Sequence, residues 1–199
     1  MARMIALWTF ACKLYSEPSV KSACLALQDQ YGVNVPLLLT ACWVSKHNIV
    51  LSPEVAEHLY SRAAQWESGC IEPLRRLRRD MKMVHTNNLD DGSGNSHECS
   101  QWSHVREQVK NVELAAEKAL LGALEQVVMA SCSVGASVNV ATQSVVMNIH
   151  HCIPHLLTAD SSRSSSTAVV VSSLATIIHA VNPLIQYDDV FAQVERHWV

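Results

Sequence analysis

The sequence predicts an all-α fold: a multi-helix bundle with a long central helix and a nearly uncharged C-terminal helical segment. Apolar residues recur every three or four positions through most of the chain, which is the period of an amphipathic helix. Several of these stretches open on proline, which the first turn of a helix accommodates. Of the 199 residues 49% are hydrophobic and only 6 are Gly and 6 Pro, which excludes collagen-like and wholly disordered chains.

Residues 1–84 are predicted to form an N-terminal helical part. An amphipathic first helix is expected over 5–15, where apolar side chains follow helical spacing. Pro18, Pro36 and Pro53 then fall in the first turns of three further helices. Gly32 is predicted to end the second helix, Asn34 to cap the start of the third, and Trp66 to end the fourth.

A fifth helix is predicted to begin near Pro73, after an interruption at Ser68-Gly69. It is strongly basic in a protein whose formal net charge is -3. Its apolar seam has 3-4-3 spacing: Leu74, Leu77, Met81 and Val84. Its basic residues are Arg75, Arg76, Arg78, Arg79 and Lys82, against the single acid Asp80.

The polar, Gly-containing stretch 85–100 is predicted to be a flexible linker, because nothing in it suits a core. Residues 101–130 are predicted to form one long helix that packs on the N-terminal part. Its apolar positions, including Val105, Val109 and Val112, fall in line at helical spacing.

Residues 131–199 are predicted to be a C-terminal helical segment with a Ser-rich loop at 158–167. Residues 126–159 contain no Asp, Glu, Lys or Arg. The Val, Ser and Thr content suits strands as well as buried helices, and the length and lack of turn signals favour helix. If exposed, the segment would be an apolar patch that needs a partner, self-association or a membrane surface; we expect it to be core.

The basic helix is the most specific signal in the chain. A cluster of arginines can form an anion-binding or partner-binding face, for a protein or for nucleic acid. The same arginines can instead pair internally with Glu113 and Glu117, which are four residues apart and share one face of the long helix. Nucleic acid is the least favoured partner, because no aromatic interleaving or known nucleic-acid motif accompanies the charge.

One cluster of potential metal ligands exists, formed by His150, His151 and His155. His151 and His155 have the i, i+4 spacing of two helical ligands, but Pro154 lies between them and the Glu of an HExxH motif is missing. Structural histidines at a helix end are the favoured interpretation. A metal-dependent enzyme that uses this cluster is kept as an alternative.

Other signals of catalysis are missing from the sequence. There is no nucleophile elbow, no SxxK motif and no Gly-rich phosphate loop, so no cofactor is predicted and a non-enzymatic role is favoured. The seven cysteines include no CxxC pair and indicate reduced thiols in a cytoplasmic protein. No transmembrane segment is predicted, since no run of 18 purely apolar residues occurs.

An ordered series of short motifs resembles a family of small proteobacterial proteins described only as conserved hypothetical, with a domain of unknown function. The resemblance covers about residues 5–127. The motifs are Trp8-x-Phe10-Ala11-x-x-Leu14-Tyr15, Ala23-Cys24-Leu25-x-Leu27-Gln28, Gly32-x-x-Val35-x-Leu37-Leu38-Leu39, Trp43, Trp66, Pro73-Leu74-Arg75-x-x-Arg78-Arg79-x-x-Lys82 and Glu113-Leu114-x-x-Glu117. The resemblance implies a bacterial, cytoplasmic, helical protein and brings no activity, cofactor or catalytic residue.

The function predicted from the sequence is a non-enzymatic protein-interaction or adaptor module that uses the arginine-rich helix. Its partner would be another protein or a second copy of the chain. Binding of nucleic acid or another anion through the same helix is the first alternative, and the metal-dependent enzyme is the second.

Overall fold

The computed structural model describes residues 4–90, 96–132, 142–152, 164–184 and 186–198. Within these ranges the regular secondary structure is helical and no strand occurs, which confirms the all-α prediction. The helices are α1 (Leu7–Tyr15), α2 (Pro18–Tyr31), α3 (Val35–Lys46), α4 (Pro53–Trp66), α5 (Glu72–Asp90), α6 (Ser96–Cys132), α7 (Thr142–Cys152), α8 (Ser164–Val181) and α9 (Tyr187–Trp198). A π-helical segment, Glu67–Ile71, lies between α4 and α5.

The chain divides into two compact units. The first comprises Met1–Ala63 and Leu121–Val199, and the second comprises Ala64–Leu120. None of the described helices is both long and apolar enough to cross a membrane.

In the first unit the central element is α3, whose residues from Val35 to Ser45 are all buried. Such complete burial requires neighbours on every side, and α1, α2, α7 and α8 all pack against this helix. Asn34 caps its start by accepting a hydrogen bond from the amide of Leu37 at 2.9 Å. Trp43, fully buried, donates from Nε1 to the carbonyl oxygen of Ile5 at 2.7 Å.

The nearly uncharged C-terminal segment belongs to the core of this unit. Helix α8 packs against α2 and α9, and α7 packs against α3 and α9. Ile149, Leu174 and Ile177 are completely buried. The lack of charge therefore has a structural cause in the described residues, since an ion on these faces would lose its hydration.

A buried amide ties α7 to the loop that follows α3. Asn148 Nδ2 donates to Ser45 Oγ and to the carbonyl oxygen of Ile49, both at 2.8 Å, while its Oδ1 accepts from the amide of Leu51 at 2.9 Å. The side chain thus satisfies backbone groups of a segment that forms no helix of its own. Lys46 Nζ adds a hydrogen bond to the carbonyl oxygen of Val181 at 3.0 Å.

The second unit contains the π-helical segment, α5 and the part of α6 that ends at Leu120. The two helices run antiparallel, because Arg75, early in α5, contacts Glu117, whereas Met81 accepts a hydrogen bond from Trp102, early in α6. Trp102 Nε1 donates to the carbonyl oxygen of Met81 at 2.8 Å.

Several boundaries differ from those the sequence predicts. The predicted linker 85–100 is largely helical, because α5 extends to Asp90 and α6 begins at Ser96; residues 91–95 lie outside the described part. Residues 85–90 contain neither Gly nor Pro, so nothing in them ends the helix. The long helix is accordingly longer than the predicted 101–130.

Two predicted breaks are also helical. Ser68-Gly69 lies within the π-helical segment, which continues from α4 into α5 without a turn. The last four residues of the predicted loop 158–167 form the first turn of α8, and residues 158–163 lie outside the described part. Serine is tolerated in a first helical turn, where its hydroxyl can bond to free backbone groups.

Candidate functional site

The arginines of α5 lie in a cluster of carboxylates within the second unit. Arg75 is at its centre, with a side chain only 6% exposed. Its Nη1 lies 2.6 Å from Glu67 Oε1, its Nη2 lies 3.3 Å from Glu117 Oε1, and its Nε lies 3.4 Å from Glu113 Oε1. A buried cation of this kind is stable only because several carboxylates surround it.

Arg78 forms the second contact with α6. Its Nε and Nη2 both donate to the carboxylate of Glu113, the latter at 3.1 Å, which gives the two-pronged geometry that suits a guanidinium. Arg106 of α6 reaches back and donates from Nε to the carbonyl oxygen of Arg78 at 3.4 Å.

The remaining arginines of α5 are more exposed and contact Glu72. Arg79 Nη2 lies 2.8 Å from Glu72 Oε1 and Arg76 Nη2 lies 3.8 Å from the same atom. Their side chains are 50% and 70% exposed, respectively. Lys82 is exposed as well. The five basic residues singled out in the sequence therefore do not form one continuous cationic surface.

The cluster shifts the pKa values of three of its members. Burial disfavours the Arg75 cation, but Glu67, Glu117 and Glu113 outweigh that effect and raise its pKa. The pKa of Arg78 is also raised, chiefly by its hydrogen bonds to Glu113. Burial raises the pKa of Glu117 above its ordinary value of 4.5, and the neighbouring Glu113 adds to this while Arg75 opposes it.

Two members of the cluster were not singled out from the sequence. Glu72 is three, four and seven residues before the arginines it contacts, so its spacing alone could have indicated the pairing. Glu67 is eight residues before Arg75 and its pairing depends on the π-helical segment, which no spacing rule anticipates. The i, i+4 spacing places Arg79 on the same helix face as Arg75, whereas the second arginine that contacts Glu113 is Arg78.

The sequence does not indicate that Arg75 is an α5 residue buried against α6. Arg75 is 5% exposed, whereas Leu77, predicted to belong to a buried seam, is 47% exposed. Met81 of that seam is buried, and the side chain of Val84 lies outside the described part. Glu67, Glu113 and Glu117 supply the counter-charges that the inward-facing Arg75 cation requires.

The helix pair has two sides of different chemistry. Arg75 and Arg78 of α5 and Arg106 and Glu113 of α6 face the opposite helix. In two right-handed antiparallel helices, the residue that precedes each inward position points to one common side of the pair, and the residue that follows points to the other.

We call the side that carries the preceding residues the uncharged side, and the side that carries the following residues the charged side. By this rule the uncharged side includes Leu74, Leu77, Val105, Val112 and Ala119, the last of which precedes the buried Leu120. The charged side consists of Arg76, Arg79, Glu107, Leu114 and Lys118. Leu77, Val105 and Val112 are 47%, 49% and 53% exposed, so the uncharged side presents apolar surface to solvent.

The candidate metal ligands are only partly within the described residues. His150 and His151 lie in the last turn of α7 with ring centroids 6.3 Å apart, and His155 lies outside the described part. Among the described residues, no group of three His, Cys, Asp or Glu side chains is arranged to hold a metal ion. His151 Nδ1 is buried there and has no hydrogen-bond partner.

The buried cysteines of the first unit are poor nucleophiles. Burial raises the pKa of the Cys24 and Cys152 thiols to about 12 and also raises the pKa of the Cys42 thiol. These thiols are therefore protonated at neutral pH and pack as small apolar groups. Cys12, in contrast, is exposed.

The fold and the site together define a helical protein with an ion-paired helix pair. Residues 6–124, more than half of the chain, match the family described as "Protein of unknown function (DUF2390)". The chain belongs to this family, which confirms the resemblance to a domain of unknown function. No curated protein and no solved structure matches the sequence.

Proposed function

We propose that the protein is a non-enzymatic protein-interaction module of the bacterial cytoplasm whose contact surface is the uncharged side of the α5–α6 helix pair. The observation that carries this proposal is the exposure of Leu77, Val105 and Val112 on one side of the pair. Apolar residues grouped on one exposed side are typical of a surface that binds another protein.

The arginines have a different role in this proposal from the one they have in the predicted adaptor module. Arg75 and Arg78 hold α5 against α6 through Glu113 and Glu117 rather than forming the contact surface. These ion pairs hold together α5 and α6, which both contribute residues to the uncharged side. Arg76 and Arg79 lie on the opposite side, away from the proposed contact.

The geometry gives less support to the anion-binding alternative. A phosphate that approached Arg75 or Arg78 would have to displace carboxylates already within hydrogen-bond distance. It would also meet the negative charge of Glu113 and Glu117. Protein interaction through apolar contacts has no such competition.

Site-specific photo-crosslinking in bacterial cells tests the proposal. A photoreactive side chain replaces Val112 in one variant and Leu114 in a second, because the two residues are 53% and 51% exposed on opposite sides of the pair. We expect a crosslinked protein adduct of discrete mass from position 112 and little from position 114. Equal labelling at both positions, or none at either, would contradict the proposal.

A further inference from the structure

The uncharged side of the helix pair carries a repeat that restricts its partner. On α6 its members Val105, Val112 and Ala119 are seven residues apart, so they return to the same face every two turns. A helix that packs along another repeats its apolar positions every seven residues, and Val105, Val112 and Ala119 supply one such position. Helix α5 contacts α6 through the neighbouring Glu113 and Glu117, which leaves this repeat exposed.

We propose that the partner of the uncharged side is a second copy of this chain, joined as a symmetric dimer through antiparallel α6 helices. This inference rests on the proposed function and names its partner. The surface carries no charge, so an ionic side chain of a partner buried against it would lose its hydration without gaining a counter-ion. A second copy presents the same uncharged residues and buries no ion.

The sizes of the side chains on this surface also fit a symmetric antiparallel dimer. With two α6 helices antiparallel and Val112 at the two-fold axis, Val105 of one copy lies opposite Ala119 of the other, so a larger side chain meets a smaller one at both ends. Two-fold contacts are self-complementary in this way: if one residue contacts a second, the second contacts the first. The same three residues therefore supply both halves of the interface.

Sedimentation of the purified full chain over a range of concentrations tests the proposal. Val112→Glu places a charge at the axis, and Leu114→Glu is the matched control on the charged side. We expect twice the chain mass for the wild type and for Leu114→Glu, and the single-chain mass for Val112→Glu. Circular dichroism checks that both variants retain the helical content of the wild type, as their exposed positions should allow.

Cysteine crosslinking tests the register. In a Cys12→Ser background, Val112→Cys is expected to give a covalent dimer under mild oxidation, whereas Val105→Cys, which faces Ala119, gives at least tenfold less. A wild type that stays single-chain at all concentrations, or equal masses for the two Glu variants, overturns the proposal. If the wild type is single-chain while position 112 still crosslinks a different protein in cells, the dimer is wrong and the interaction module stands. If neither is observed, both are wrong.

Discussion

Arg75 is a buried cation whose contribution to stability depends on the carboxylates around it. Replacing it with Gln removes the cation that Glu67 and Glu117 contact, while Glu113 keeps its pairing with Arg78. Removing one partner of a buried ion pair costs about 3 kcal/mol, because the other charge stays desolvated. We expect Arg75→Gln to lower the free energy of unfolding by about that amount, as measured by urea denaturation.

Arg76→Gln is the matched control for this prediction. The side chain of Arg76 is 70% exposed and lies 3.8 Å from Glu72, so its pairing is screened by water. Its substitution should change the free energy of unfolding by less than about 0.5 kcal/mol. Equal effects of the two substitutions would show that burial of Arg75 does not matter to the fold.

Glu117 gives a prediction about pH. Its pKa in the folded state is raised above 4.5, so the folded chain binds its proton more tightly than the unfolded chain does. The stability contributed by this group is therefore present below pH 4.5 and is lost as the pH rises through the raised value.

In the variant Glu117→Gln the side chain at position 117 cannot ionise, so it causes no loss of stability as the pH rises. We expect it to melt at a higher temperature than the wild type at pH 7, with a difference that shrinks as the pH falls toward 4.5. Thermal unfolding of both proteins across this range is the measurement. A Glu117→Gln protein that is less stable than the wild type at pH 7 would mean that the ion pair with Arg75 outweighs the cost of burial.

At the residue scale, local spacing predicts part of the cluster. The i, i+4 interval indicates that Glu113 and Glu117 share a face, and the structure places both against α5. The sequence leaves internal pairing of the arginines open but does not show which of them is buried, since Leu74 and Leu77 make α5 look like an ordinary amphipathic helix. The outcome depends on the carboxylates of a helix some 40 positions away.

At the scale of elements, Asn148 connects α7 to the chain between α3 and α4. It forms hydrogen bonds to Ser45, Ile49 and Leu51 and is fully buried. Asn148→Ala leaves the buried amide of Leu51 and the carbonyl oxygen of Ile49 without these partners. Since an unsatisfied buried group costs about 1–3 kcal/mol, we expect a loss of about 3 kcal/mol in the free energy of unfolding.

Ser45→Ala is the milder variant for comparison. It removes only one of the three hydrogen-bond partners of Asn148 and should lower the free energy of unfolding by about 1 kcal/mol. Hydrogen exchange adds a local measurement. The amide of Leu51 should lose protection in Asn148→Ala and keep most of it in Ser45→Ala. Unchanged protection at Leu51 in both variants would mean that other contacts hold this loop.

The starts of helices are easier to predict from sequence than their ends. Asn34 and Pro36 mark the start of α3 because capping and proline chemistry are local to one turn. The end of α5 is not marked in this way, since residues 85–90 are polar without containing a helix breaker. Polarity indicates exposure to solvent, and a helix exposed on most of its surface is as polar as a loop.

At the scale of the whole molecule, the family match and the compact units have different boundaries. The match ends at residue 124, whereas the first unit combines Met1–Ala63 with Leu121–Val199. Composition predicts a buried C-terminal segment but cannot say what covers it. That answer depends on contacts of α2 with α8 and of α3 with α7, which join residues far apart in sequence.

A split of the chain tests whether α7, α8 and α9 are required by the N-terminal helices. A fragment of residues 1–132 leaves α2 and α3 without α8 and α7, and their buried leucines, including Leu27 and Leu38, lose cover. Exposure of this surface is strongly unfavourable, at roughly 25 cal/mol for each Å² of apolar area. We expect the fragment alone to aggregate or to lose cooperative unfolding.

Co-expression of residues 133–199 as a separate chain provides the control. Because the same contacts can form between two chains, the fragments should purify together in a 1:1 ratio and unfold cooperatively. Asn148→Ala in the second fragment should weaken that complex, since its hydrogen bonds then cross between the chains. A 1–132 fragment that is stable and cooperative alone would mean that the family-matched region forms its own core, with the C-terminal helices docked on it rather than completing it.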